Sequence, residues 1–344
     1  MAAITTFAGQ RSKDSRIGKL GQIATVTWSI LLIFWLATDP FVWFWVPWDS
    51  TPTSVLIVVP VLLSATVPFM RYRRWAWSLT LVSALVVCLP KTDVAHQFFP
   101  RPECKPSPTT SPPITVLSWN TEFWGDGRYS TVGTNILRAN ADVVALQEVQ
   151  SDVRQKYVAY TPPDFPWSSY RNIIRKGELM IATNLEVLSD NKDDARIPFL
   201  YVDIITPSTR VIRIINVHIP VHLSLSLDAR DRDFYDFIRF RFSVRREEFK
   251  KLSAAIDESP YPVVLAGDFN STTSMANFRS ATGKLCDSVL AAGFSNPMTW
   301  SIFGLSLWRP DYIFTSPGVN SLVYDVLPMD NISDHKAIRL AIAL

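Results

Sequence analysis

The stretch Val263–Asn270, VVLAGDFN, carries the clearest chemical pattern in the chain. Four apolar residues lead to Gly267, after which Asp268 and Asn270 emerge, as a buried strand does when it ends at a sharp turn. A carboxylate and a carboxamide at a rigid edge can hold a hard cation or orient a water. Gly, Asp and Asn are also ordinary turn residues, so this stretch alone leaves both readings open. Repetition decides between them. Ile114–Ser118 runs into Asn120 and Glu122, Asp142–Leu146 into Glu148, and Val211–Val217 into His218. Asp311 precedes Tyr312–Thr315, and Asp334 and His335 precede Ala337–Ile342. Each of these has an ordinary explanation as a turn residue, a cap or a satisfied core histidine. Together they place the same few chemical groups at strand end after strand end. His222, four residues past His218, receives no role.

The elements that must position these groups are mostly short apolar strands. Ser168–Ile174, Leu179–Thr183, Leu200–Thr206 and Leu322–Leu327 join those above, with helices over Tyr129–Ala139, Asp228–Asp257 and Lys284–Ala292. Strands outnumber helices and often follow one another directly. That argues for an α+β sandwich, sheet on sheet with helices outside, and against a doubly wound parallel sheet.

The first third differs in composition. Of 12 Trp, seven lie between Trp28 and Trp77. Gly21–Ala37, Ser54–Met70 and Trp75–Leu89 are uncharged apolar runs, read in tandem as three transmembrane helices. Basic residues sit in the tail (Arg11, Lys13, Arg16, Lys19) and at Arg71, Arg73 and Arg74, whereas Asp39–Thr53 has none. By the positive-inside rule the chain leaves the third helix on the outer face. Residues 1–98 are thus expected to form a multi-pass membrane domain, 99–113 a Pro-rich linker, and 114–344 an extracytoplasmic catalytic domain. With six prolines, the linker is expected to be an extended spacer reaching ~45 Å at about 3.1 Å per residue. Cys104 and Cys286 would meet an oxidising compartment, where a disulfide between them can form. Net charge is only +3, which offers no broad basic field for nucleic acid. No CxxC or Cys/His cluster suggests structural zinc.

The motifs LSWNTE, ALQEV, NVHIP, AGDFN, PDYIF and SDHKAI, in this order across Ile114–Leu344, resemble those of the endonuclease/exonuclease/phosphatase superfamily of metal-dependent phosphohydrolases. The resemblance implies a four-layer α/β/β/α sandwich with its site at one rim. It implies that Glu148 is the main metal ligand, with Asn120 and Glu122 beside it and Asp334 supporting that side. Asp268 would orient or deprotonate the attacking water, and Asn270 would position water and phosphate. His335 would bind the scissile phosphate or act as acid/base, Asp311 would orient its imidazole, and His218 would donate to a phosphate oxygen. Oxygen ligands without thiolates favour Mg²⁺ or Mn²⁺, and an Asp–His pair fixes the imidazole tautomer. Glu122 stands where the family often has aspartate. Leu223–Arg246 interleaves phenylalanines and arginines, a mix suited to a headgroup interface or to packing on the sandwich.

The three-helix anchor followed by this domain is similar to the VanJ-type teicoplanin-resistance membrane proteins, which implies a lipid-linked diphosphate substrate such as undecaprenyl pyrophosphate. An endonuclease or exonuclease, or a sphingomyelinase-like phosphodiesterase, would use the same core motifs. A non-enzymatic membrane adaptor would tolerate damaged motif positions, and none is damaged here.

Overall fold

The computed structural model describes residues 15–70, 74–92, 101–105, 108–149, 167–224, 226–289, 297–302 and 304–344. The basic tail before Ser15 and the cluster at Arg71 and Arg73, on which the expected orientation rests, lie outside these.

The N-terminal region is a small helical assembly. Helices Arg16–Thr38, Val55–Ser64 and Arg74–Cys88 pack around Trp28, Leu32, Trp35, Leu56, Ala84 and Cys88. Among the described residues, one helix, Arg16–Phe41, is long and apolar enough to cross a membrane, at 26 residues. A rise of 1.5 Å per residue gives it about 39 Å, against a hydrocarbon core of about 30 Å. Val55–Phe69 and Arg74–Cys88 have 15 residues each and reach only about 22 Å. Pro60 and Pro68 interrupt the former. The expectation of three transmembrane helices is therefore corrected to one candidate span with two shorter apolar helices packed beside it.

The spacer expectation is also corrected. A disulfide joins Cys104 to Cys286, with Cα atoms 5.3 Å apart. Arg101 Nη1 donates to Gly283 O at 2.6 Å, and Thr109 Oγ1 to Leu344 O at 3.1 Å. The described part of the linker, 101–105 and 108–113, is stapled along the flank of the C-terminal domain instead of extending away from it.

That domain is built on two six-stranded sheets. In the first, the order is β13 (Asn320–Leu327), β14 (Ala337–Ala343), β1 (Ile114–Asn120), β2 (Val143–Gln147), β4 (Leu179–Thr183), β3 (Asn172–Lys176). In the second it is β5 (Glu186–Asp190), β6 (Leu200–Ile205), β7 (Val211–His218), β8 (Val263–Asp268), β12 (Asp311–Thr315), β9 (Cys286–Asp287). A hairpin, β10 (Trp300–Ile302) and β11 (Leu305–Trp308), stands beside them. Pairs β1–β2 and β7–β8 are parallel; the other pairs are antiparallel.

Strand periodicity sorts the side chains. Ile114 and Val116 of β1 face the core between the sheets, with Val202, Ile214 and Val264. Leu117 and Trp119 face the other way, against Val132 and Ile136 of helix Tyr129–Ala139. Phe249 and Leu252 of helix Arg232–Asp257 and Phe278 of helix Ala276–Thr282 cover the second sheet. Two sheets packed face to face between helices are the four-layer arrangement expected. Between the sheets, Gln147 Nε2 donates to Asn216 Oδ1 at 2.6 Å, and Asn216 Nδ2 donates to Leu146 O and Met180 O. A buried polar link of this kind is satisfied in only one alignment of the sheets, so it fixes the relative placement of the strand ends beyond it.

The helix expected over Lys284–Ala292 is corrected. Its described part contains the edge strand Cys286–Asp287, and the helix lies earlier, at Ala276–Thr282. Gly283 ends that helix, and the disulfide holds Cys286 at the sheet edge. Residues 290–292 lie outside the described residues. The strand expected over Ser168–Ile174 begins only at Asn172, after a 3₁₀ turn at Trp167–Ser169.

Candidate active site

Register assembles the site. Across β7, β8 and β12, His218 pairs with Asp268 and Asp311 pairs with Asp268, so three functional residues stand side by side on adjacent strands. In the facing sheet, Asn120 lies opposite Gln147 on parallel neighbours, and Glu148 follows. Asn120 continues the inward parity of Ile114 and Val116, which points it between the sheets at the rim. The strand pair β7–β8 closes so tightly at Gly267 (φ +141°) that a Cβ there would meet Val217 O at 2.0 Å. Glu122, Glu148 and Asn270 all have positive φ, at 45°, 55° and 44°. Strained backbone of this kind persists where surrounding structure holds it, commonly at functional sites.

Asp268 is the hub. Its Oδ2 accepts from Asn120 Nδ2 at 3.0 Å, and its Oδ1 accepts from the Asn270 N–H at 2.8 Å. Asn120 Nδ2 also donates to Glu148 Oε1 at 3.0 Å. Two imidazoles flank Asp268, with His218 Nε2 and His335 Nε2 each 3.8 Å from Oδ2. His335 Nδ1 lies 2.8 Å from Asp311 Oδ2, which also accepts from Thr299 Oγ1 at 2.6 Å. His218 Nδ1 lies 2.7 Å from Glu178 Oε1, and its Nε2 lies 3.6 Å from Glu148 Oε1. Burial opposes protonation of both rings. The surrounding carboxylates override it, raising His218 to about 9 through Glu178, Asp268 and Glu148, and His335 well above its ordinary value through Asp311 and Asp268. Burial pushes the Asp268 and Glu148 carboxyls up.

All nine residues expected from the sequence stand along this rim, with the Glu122 N–H donating to Asn120 Oδ1 at 3.0 Å and Asp334 Oδ1 3.8 Å from His335 Nε2. Asn120, Glu148, His218, Asp268, Asn270, Asp311 and His335 form a continuous network. Glu122 and Asp334 meet each other at its edge, where Glu122 Oε2 accepts from the Asp334 N–H at 3.0 Å. Asp334 Oδ2 accepts from Trp300 Nε1 at 2.8 Å. Asp268, Asp311 and His335 each offer an atom within 4.8 Å of the others, and Glu148 Oε1 and Asp268 Oδ2 share the Asn120 amide as donor. The residues fit a hard divalent cation. The available ligand atoms are carboxylate and carboxamide oxygens, with no thiolate. Two buried carboxyls have raised proton affinity, a cost that a cation relieves, and Asp311 Oδ1 is buried without a hydrogen-bond partner.

Three contributors were missed. Glu178, just after Gly177 (φ +57°) in the β3–β4 turn, reads in sequence as a hairpin residue. Thr299 belongs to no motif. Arg245 is buried among apolar neighbours on the long helix. It donates to Pro220 O at 2.5 Å, Asn270 O at 3.1 Å and Ser271 Oγ at 2.6 Å, clamping the loops that follow His218 and Asp268. Burial lowers its pKa to about 9, with Asp268 and Glu248 opposing.

The model of the family described as "Endonuclease/Exonuclease/phosphatase family" matches residues 117–335. The fold is similar to that of an endonuclease/exonuclease/phosphatase from Bacteroides vulgatus, with a TM-score of 0.50 at 15% identity, over 68% of this chain and 99% of that one. It is also similar to a family protein from Bacteroides thetaiotaomicron (TM-score 0.49, 17% identity, 68% and 98% covered) and to an AP endonuclease from Archaeoglobus fulgidus (0.47, 14%, 67% and 100%). No curated protein matches the sequence. The chain belongs to the endonuclease/exonuclease/phosphatase family, a family of divalent-metal-dependent phosphoester hydrolases.

Proposed function

We propose that this enzyme is a membrane-anchored phosphohydrolase that uses Mg²⁺ or Mn²⁺ to cleave a lipid-linked phosphate or diphosphate at the outer face of a membrane. One observation carries the reading. The segment just beyond the candidate span seats on three loops that bear catalytic groups. Ser50 Oγ lies 2.7 Å from His222 Nε2, Thr272 Oγ1 donates to Asp49 O at 2.9 Å, and Trp308 Nε1 donates to Ser50 O at 2.9 Å. These partners lie four, two and three residues from His218, Asn270 and Asp311, at most about 15 Å of chain at 3.8 Å per residue. A site held so close to the end of a span meets bilayer substrates at high effective concentration and gains nothing comparable for diffusing DNA. The apolar residues that the helical assembly leaves exposed, such as Ile23, Ile33, Leu62 and Val86, suit a lipid surround. The disulfide suits an extracytoplasmic domain.

The residues divide the chemistry. Asp268 Oδ2 is the acceptor best placed to orient the attacking water and take its proton, with the Asn270 N–H holding Oδ1. His335, aligned by Asp311, and His218, aligned by Glu178, present protonated Nε2 groups that can donate to phosphate oxygens. Glu148, Asp268 and Asn120 would hold the cation, with Asp311 and His335 adjacent. When bound, it would neutralise charge on the non-bridging oxygens.

The test is a substrate panel. Full-length protein in proteoliposomes with Mg²⁺ is given undecaprenyl diphosphate, sphingomyelin and DNA. The lipid diphosphate should show the highest kcat/KM, and a preference for DNA or sphingomyelin would overturn the proposal.

A further inference from the structure

The anchor contacts also orient a surface with no catalytic duty. The turn Trp43–Trp45 and Val46 pack against the N-terminal half of the long helix Arg232–Asp257. Val46 joins Phe234 and Ile238 in one cluster, and Trp43 lies edge-on to Tyr235 with ring centroids 6.4 Å apart. This half of the helix is therefore fixed beside the outer end of the candidate span. Its face away from the domain exposes Tyr235, Arg239 and Phe240, the last at 63%, with Asp236 among them paired to Arg232 at 3.2 Å. Next to it the span ends at Phe41, 74% exposed, followed by exposed Phe44. Arg239 pairs with no carboxylate among the described residues.

We infer that Phe41, Phe44, Tyr235, Arg239 and Phe240 form a collar that rests in the headgroup layer of the bilayer and seats the catalytic rim on the membrane surface. The surface is continuous with the end of the span, so lipid reaches it without any further partner. Large aromatic rings with a polar or cationic neighbour are the side chains that settle where hydrocarbon meets headgroups. The helix itself is amphipathic, with Phe234, Ile238, Phe249 and Leu252 buried in the protein and the aromatic–arginine face left outward. Its C-terminal half serves the sandwich core instead, so only the first turns enter the interface. The collar deepens the reading of a membrane-facing enzyme and rests on it, although its position can be measured without any substrate.

The test places an environment-sensitive fluorophore on Phe240→Cys or on Glu258→Cys in the full-length protein, which retains the disulfide and the buried Cys88. The protein is reconstituted in phosphatidylcholine–phosphatidylglycerol vesicles carrying lipids spin-labelled near the headgroup. The 240 label should be quenched at least two-fold more than the 258 label, which lies about 27 Å farther along the helix. Equal quenching at both sites, or none at 240, overturns the collar, and the latter would leave the aromatic face to a protein partner. Because no turnover is read, a failed collar is distinguishable from a wrong substrate.

Discussion

Glu178 is the least expected member of the site, and neutralising it isolates one imidazole. In Glu178→Gln the 2.7 Å contact to His218 Nδ1 loses its charge while keeping its shape. His218 stands at about 9 against an ordinary 6.5, a total bias of about 3 kcal/mol at 1.36 kcal/mol per unit. Glu178 is the closest of the three carboxylates responsible, and a hydrogen bond to a charged group contributes about 1.5–3 kcal/mol. Because the folded value is raised, the stabilisation is complete below about pH 6.5 and fades as pH rises through about 9. The variant should therefore be less stable than the parent at pH 6, with the gap narrowing by pH 10. In metal-free protein, NMR titration of the imidazole should show His218 falling by at least one unit. With Mg²⁺ at pH 7, kcat/KM should drop roughly ten- to hundred-fold, and the alkaline limb of its pH profile should move downward. An unchanged titration and an unchanged profile would refute the claim that Glu178 keeps His218 protonated.

The remaining predictions concern the hub, the clamp and the staple. Glu148→Ala, Asp268→Ala and His335→Ala should each lower kcat by about 10²–10⁴ with circular dichroism unchanged, and EDTA should abolish parental turnover until Mg²⁺ or Mn²⁺ is restored. Arg245→Met leaves the carbonyls of Pro220 and Asn270 without their donor, so it should destabilise the fold by about 2–4 kcal/mol and lower kcat more than it raises KM. Arg245→Lys should recover part of both, as calorimetry and kinetics can show. The Cys104–Cys286 bond closes a 182-residue separation, for which chain entropy predicts about 5 kcal/mol. Cys104→Ser should therefore lower the melting temperature of the C-terminal domain in a thermal scan while leaving the rim chemistry intact.

The catalytic rim was legible because its residues sit where strands stop, and strand ends are marked by a change from apolar runs to polar residues. VVLAGDFN and NVHIP therefore reveal Asp268, Asn270 and His218 without any knowledge of neighbours. Partners supplied by tertiary approach carry no such mark. Glu178 is 40 residues from His218, and Thr299 is 12 from Asp311. Arg245 sits in a helical stripe where arginine ordinarily snorkels to solvent. The N-terminal helices were overcounted as spans because apolar composition sets no helix length: Pro60 and Pro68 interrupt the second, and the third gives way at Cys88 to a turn carrying Pro90. The free spacer was overdrawn because proline content describes an isolated chain, and here Arg101 and Cys104 are tied to the domain.

The central claim is that the Asp268-centred rim hydrolyses a membrane-borne phosphate with the help of a divalent cation. Single-turnover release of inorganic phosphate from undecaprenyl diphosphate, by full-length protein in proteoliposomes, tests it most directly. The account predicts release that saturates with Mg²⁺, stops in EDTA and falls at least a hundred-fold in Asp268→Ala. Release that persists in EDTA or in Asp268→Ala, or no release while DNA in the same vesicle suspension is cut, would contradict it.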